Sequence, residues 1–185
     1  MVETAKMKRL KRGQRGFTLI EVIVAIAIAG LITGGITYAI MQILTINHRD
    51  SNHMIAVRQV QQAGKEVSKD ALQAQNVNAT GSTGFLMLNW TGWAAGNMTG
   101  SNHTIVYTLI DMPPGGLKRL QRQEYIDATL NSTTIVAEYI DDDPSLTHCE
   151  WDPAERVLVF TVTATVGTQS ETRVYEVEPR PSPPD

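Results

Sequence analysis

The stretch Phe17–Ile46 reads FTLIEVIVAIAIAGLITGGITYAIMQILTI. Thirty positions carry one charged side chain, Glu21. A helix needs only about 20 apolar residues to cross the hydrocarbon core of a bilayer, so this segment is long enough to span one. Ahead of it lie Lys6, Lys8, Arg9, Lys11, Arg12 and Arg15, against the single acid Glu3. Basic residues flanking a span stay on the cytoplasmic side, which predicts a cytoplasmic N-terminus and an exported C-terminal body.

The charge is unevenly placed. The 185-residue chain has a formal net charge of −3, with 16 basic and 19 acidic residues. The part after Gly16 keeps 10 of the former and 18 of the latter, a formal −8. An acidic body argues against nucleic acid as a partner, and the short basic head lacks interleaved aromatics. Length allows one domain plus a helical extension. Cys149 is the lone cysteine, so no intrachain disulfide and no cysteine-built metal site forms. It reads as a small thiol in a strand.

Three readings of the N-terminal segment compete. A secretory signal has an apolar core of about 7–15 residues before its cleavage site, and this one is roughly twice that. A plain signal anchor fits the length and the charge but leaves Glu21 unexplained. A carboxylate so far inside an apolar run is costly and marks a function with a partner of opposite charge. The third reading rests on Arg15-Gly16-Phe17-Thr18-Leu19-Ile20-Glu21-Val22. This stretch closely resembles the class III signal of bacterial type IV prepilins and type II secretion pseudopilins.

The resemblance implies cleavage between Gly16 and Phe17 by prepilin peptidase, followed by methylation of Phe17 as the new N-terminal residue. It implies that Glu21 pairs with the freed amine of Phe17 on a neighbouring subunit and so sets register during assembly. Other pilin or pseudopilin subunits, the peptidase, an inner-membrane assembly platform and the membrane itself are then the partners. The filament lies at the cell surface or in the periplasm. Gly30 and Gly34 form a small-xxx-small pair that lets helices approach closely. The proline that many pilins carry at the twenty-second mature position is replaced here by Tyr38. Any kink is absent or moved toward Gly34-Gly35.

The helix is expected to continue over 47–75. Val57, Val60, Gly64, Val67, Ala71 and Ala74 recur at spacings of three and four and form an apolar stripe. Arg58, Gln61, Gln62, Lys65, Glu66, Lys69 and Asp70 form the outward face, where Glu66 and Asp70 each have a lysine within reach. Next, 76–84 reads as a turn-type linker. Strands are expected at 85–88, 104–110, 117–126, 134–140, 146–151, 156–166 and 171–178, with turns at 112–116, 152–155 and 167–169. The fold class is therefore α+β: a long helix, apolar then amphipathic, on an antiparallel sheet. The organisation is a leader at 1–16, an apolar helix at 17–46, an amphipathic helix at 47–75, a β-rich extracytoplasmic domain at 76–178 and an extended, solvated tail at 179–185.

Leu117-Lys118-Arg119-Leu120, Thr133 through Ile140 and a final strand pair ending in Glu178-Pro179-Arg180 also resemble the J-type pseudopilins and PilW-type minor pilins. That resemblance implies a minor subunit near a filament tip.

No catalytic set, cofactor or metal site is expected. His48, His53, His103 and His148 read as surface or interface residues. Asp141-Asp142-Asp143 lacks the spacing of a calcium loop and reads as an acidic turn before Pro144. Five Asn-x-Ser/Thr triplets begin at Asn78, Asn89, Asn97, Asn102 and Asn131. They read as a by-product of an Asn- and Thr-rich stretch, not as glycosylation sites. Trp90 and Trp93 read as partly buried aromatics of a small β-domain. A tip adhesin or a DNA-uptake subunit is the alternative function.

Overall fold

The computed structural model describes residues 16–79, 85–92, 100–113 and 115–180. The chain divides into two compact units, Met1–Ile46 and Asn47–Asp185. One helix, α1 (Leu19–Ala71), supplies the described secondary structure of the first unit and opens the second. In the first unit every described residue is exposed, including Phe17, Leu19, Leu31 and Tyr38. The apolar window of α1 is long enough to cross a membrane, and none of that window is buried within the chain.

In the second unit the remainder of α1 lies on an antiparallel sheet. Its strands are β1 (Asn76–Asn78), β2 (Leu86–Gly92), β3 (Ser101–Met112), β4 (Leu117–Ile126), β5 (Thr129–Ile140), β6 (His148–Asp152), β7 (Val157–Val166) and β8 (Gln169–Val177). Strands β1 to β5 follow one another as a meander. β7 pairs with β6 and β8, and meets β5 only at Ile140↔Ala164. The fold is α+β, as the sequence predicts.

Alternation along β2, β3 and β7 puts Leu86, Leu88, Ile105, Tyr107, Leu158, Phe160 and Val162 into the core. The helix answers with small residues: Ala56, Val60, Ala63, Gly64, Val67 and Ala71 are buried. Small residues let the helix approach closely, and Gly64 shows why they are needed. A Cβ there would run into the ring of Tyr175 on β8. The Tyr175 hydroxyl donates to the Val60 carbonyl at 3.1 Å, which locks the ring across the helix. Near the start of this contact the β7–β8 turn holds Gly167 at φ 60°, and a Cβ there would sit 2.7 Å from Asn52 Nδ2.

Several boundaries differ from the sequence reading. The helix ends at Ala71, and Leu72–Ala74 form a tightened last turn in which Gln73 and Ala74 N–H groups both donate to the Asp70 carbonyl, at 3.1 and 3.2 Å. Asn76–Asn78, expected to be linker, pairs with β2 as β1. β5 begins at Thr129, because Asp127 and Ala128 take φ of 48° and 64° and make a two-residue hairpin turn without glycine. The turn is tied to β3: the Asp127 N–H donates to the Asn102 carbonyl at 2.9 Å, and its carboxylate accepts from the Asn102 N–H at 2.8 Å. A bulge near the end of β5, with Tyr139 at φ 61°, turns the Glu138 N–H toward the Gln59 side chain of α1, which accepts it at 2.8 Å. Pro179, expected in a solvated tail, is buried, and the Arg180 carbonyl accepts from Arg156 at 3.0 Å. Trp93, Asn97 and residues 181–185 lie outside the described residues.

Candidate functional site

Two places carry the chemistry. The first is the start of α1. Gly16, Phe17 and Thr18 precede the helix and are exposed, so the Gly16–Phe17 peptide lies outside the helical hydrogen-bond ladder. Thr18 is the N-cap: its hydroxyl accepts the Glu21 N–H at 3.3 Å, and its carbonyl accepts from Glu21 and Val22 at 3.1 and 3.3 Å. Thr18-Leu19-Ile20-Glu21 therefore has the spacing of a capping box, with its acid in the first turn near the positive end of the helix dipole. The sequence reading gave Glu21 a partner on another subunit and overlooked this local role. Phe17 and Glu21 stand four residues apart, on one side with Ala25 and Ala29. Together with Val22 and Ile26 they line a shallow groove of about 460 Å³. Gly30 and Gly34 face open space, for a Cβ at either would meet nothing within 4 Å of this chain.

The second place is where the last turn of α1 meets β3 and β4. Asp70, read from the sequence as an outward-facing acid beside a lysine, is 1% exposed. Its Oδ2 accepts from Arg122 Nε and from the Tyr107 hydroxyl, each at 2.6 Å, and its Oδ1 accepts from Arg122 Nη2 at 3.3 Å. Arg122 Nη1 also reaches Glu124 Oε2 at 3.4 Å, and Ser132 donates to that same oxygen at 3.2 Å. Burial lowers the affinity of Arg122 for its proton, but Asp70 more than offsets this and holds the guanidinium charged. Burial, reinforced by Asp70, pushes the Tyr107 phenol well above its ordinary value. Glu124 is partly desolvated, yet Ser132 and Arg122 bring its carboxyl below the usual range.

Beside this cluster the rings of Trp90 and His103 stack with centroids 5.3 Å apart and planes 2° from parallel. His103 Nδ1 lies 3.7 Å from Glu124 Oε1. His103, read from the sequence as a surface or interface residue, is thus part of a polar cluster, brought there by the direct pairing of Trp90 with His103 across β2 and β3. The remaining candidates have local roles. Asp143 accepts from the backbone and the hydroxyl of Ser145, at 2.9 and 2.8 Å, and Asp142 pairs with Lys118 at 3.2 Å. The Asn89 amide oxygen accepts from the Thr104 hydroxyl at 2.7 Å. Cys149 is partly buried on β6, where burial raises its thiol pKa. Among the described residues no group of three or more His, Cys, Asp or Glu converges as a metal site.

Residues 11–37 match the family model described as the prokaryotic N-terminal methylation motif. No curated protein and no solved structure matches the chain. The match covers Lys11, Arg12 and Arg15 of the basic approach, the Gly16–Phe17 bond, Glu21 and the first 21 of the 30 residues of the apolar run. The chain carries a prokaryotic N-terminal methylation motif on an apolar helix long enough to cross a membrane.

Proposed function

We propose that the protein is a minor pilin or pseudopilin of a type IV pilus or type II secretion-like filament. Prepilin peptidase cuts it after Gly16 on the cytoplasmic face, Phe17 is methylated, and the mature subunit enters the filament through its N-terminal helix. The observation that carries this reading is the methylation motif on a capped apolar helix with one carboxylate in its first turn. An exposed helix of this kind requires lipid or other helices around it, because water does not solvate so much apolar surface cheaply. Lipid serves before assembly and neighbouring subunits serve after it, with the assembly platform between the two states. Glu21 then meets the Phe17 amine of the next subunit, and Gly30 and Gly34 let helices close on one another. The J-type or PilW-type placement near a tip rests on the likeness at 117–120, 133–140 and 178–180.

The test is mass spectrometry of the exported protein from its native host. We expect a methylated Phe17 at the N-terminus, and retained residues 1–16 beside a working peptidase would overturn the proposal. Glu21→Ala is expected to stay membrane-inserted while its incorporation into filaments falls at least about tenfold. A binding role at the tip is the second reading, and an open polar cleft in the second unit favours it.

A further inference from the structure

The cluster around Asp70 and Arg122 floors a cleft of about 620 Å³, a volume in the range of small-ligand sites. It runs along the flank of the last turns of α1, between the helix and strands β2 to β5. Trp90, His103, Arg122 and Glu124 come from three adjacent strands, Gln62, Glu66 and Lys69 come from the flank of α1, and Gln73 comes from the turn that follows it.

The charges of this lining are matched within it. Arg122 gives three of its five N–H donors to Asp70 and Glu124, and the exposed Lys69 Nζ stands 3.7 Å from Glu66 Oε2. Among the described lining residues each of these two cations has a carboxylate beside it, and Glu66, Asp70 and Glu124 each have a cation beside them. An ionic ligand on the floor of the cleft would have to compete with the Asp70–Arg122 pair, and parting that pair leaves a buried charge alone, which is costly. A large apolar ligand would strip water from the polar groups without replacing their hydrogen bonds. A neutral ligand rich in hydroxyls avoids both penalties. It donates to the carboxylates and amide oxygens, accepts from the amide NH₂ groups, and lays its C–H face on the flat Trp90–His103 pair.

We propose that this cleft is a binding site for a neutral saccharide. The inference rests on the tip-binding reading above and adds to it the ligand class and the residues. Trp90 is the platform, and Gln62 and Gln73 are the hydrogen-bonding rim. Arg122 and Asp70 are positioning residues that hold the floor flat.

The experiment is calorimetric titration of the full chain in detergent with chitotriose and maltotriose as neutral probes, and inorganic phosphate and lysinamide as charged ones. At least one neutral probe should bind saturably. Trp90→Ala should weaken that binding at least about tenfold. Because this variant could disturb β2, Gln62→Ala on the exposed helix flank is the second variant, expected to weaken binding about threefold with an unchanged unfolding midpoint. Three results overturn the proposal: no saturable binding of either neutral probe, binding unaltered by both variants, or tighter binding of phosphate or lysinamide. Adherence of assembled filaments to glycan-coated surfaces is the companion measurement. If adherence persists in both variants, tip binding stands and the cleft is removed from it; if it is lost with them, cleft and reading hold together.

Discussion

The two halves of α1 use similar residues to opposite ends. Up to Ile46 the helix is rich in Ile, Val, Ala and Gly, and its side chains are exposed. From Asn47 onward it again relies on Val, Ala and Gly, and Ala56, Val60, Ala63 and Val67 are fully buried. Each half has a carboxylate near its outer end. Glu21 stands exposed in the first turn, next to its cap, whereas Asp70 is enclosed by an arginine and a tyrosine from the sheet. Each half also has glycine. Gly30 and Gly34 face nothing, while Gly64 faces an aromatic ring. One half has its partner within the chain, and the other must find it outside. A glycine or an acid in a helix therefore has no meaning until its neighbour is known.

Asp70→Ala is the strongest way to sharpen this contrast. It leaves the partly buried Arg122 guanidinium with only its longer contact to Glu124 and the Tyr107 hydroxyl without its acceptor, and we expect a loss of about 3 kcal/mol in denaturant unfolding of the full chain in detergent. Glu21→Ala, read in the same assay, should leave the second unit's stability within about 0.5 kcal/mol of the parent. A comparable loss from both would break the comparison.

Gly64→Ala comes next. Its methyl group collides with Tyr175, a contact that relaxes only by displacing the ring and its bond to Val60. The expected cost is about 1–3 kcal/mol. At Gly30 and Gly34 the same exchange removes a poor helix former and meets no neighbour, so the unfolding midpoint should hold or rise. Their effect, if the assembly reading holds, shows in filament yield instead. A destabilised second unit in Gly30→Ala would overturn that division.

The smallest effect is the pH dependence. Burial and Asp70 raise the Tyr107 phenol above its unfolded value near pH 10. A raised value means the unfolded state releases its proton first, so the stabilisation is full below about pH 10 and declines as pH rises further. We expect a loss of up to about 1.4 kcal/mol per pH unit from this one group. The phenol of Tyr175 is also raised by burial and adds to the slope in the same direction. Tyr107→Phe should flatten the slope between about pH 10 and 11, and an unchanged slope would show that the phenol is not held in this way.

Much of this was legible in the residues. Period and length alone place the apolar helix, its amphipathic continuation, the α+β class and most strands. Val60, Gly64, Val67 and Ala71 could be assigned to one face because helical spacing is a property of the chain itself. The capping box at Thr18–Glu21 was equally readable, since it depends on residues three apart. The Asp127–Ala128 turn was not, because it lacks the glycine that signals such turns and is held by Asn102 of another strand.

By itself, then, the sequence determined what local spacing can encode: a methylation motif on an apolar helix, the stripe that follows it, and the alternation of the strands. Only the tertiary structure decided that Asp70 is an inward residue, since its partners Tyr107 and Arg122 lie 37 and 52 residues further along the chain. The same holds for Gly64 and Tyr175, and for the pairing of Trp90 with His103. Each is an encounter between distant segments, and helical or strand periodicity carries no information about which side chain will stand opposite.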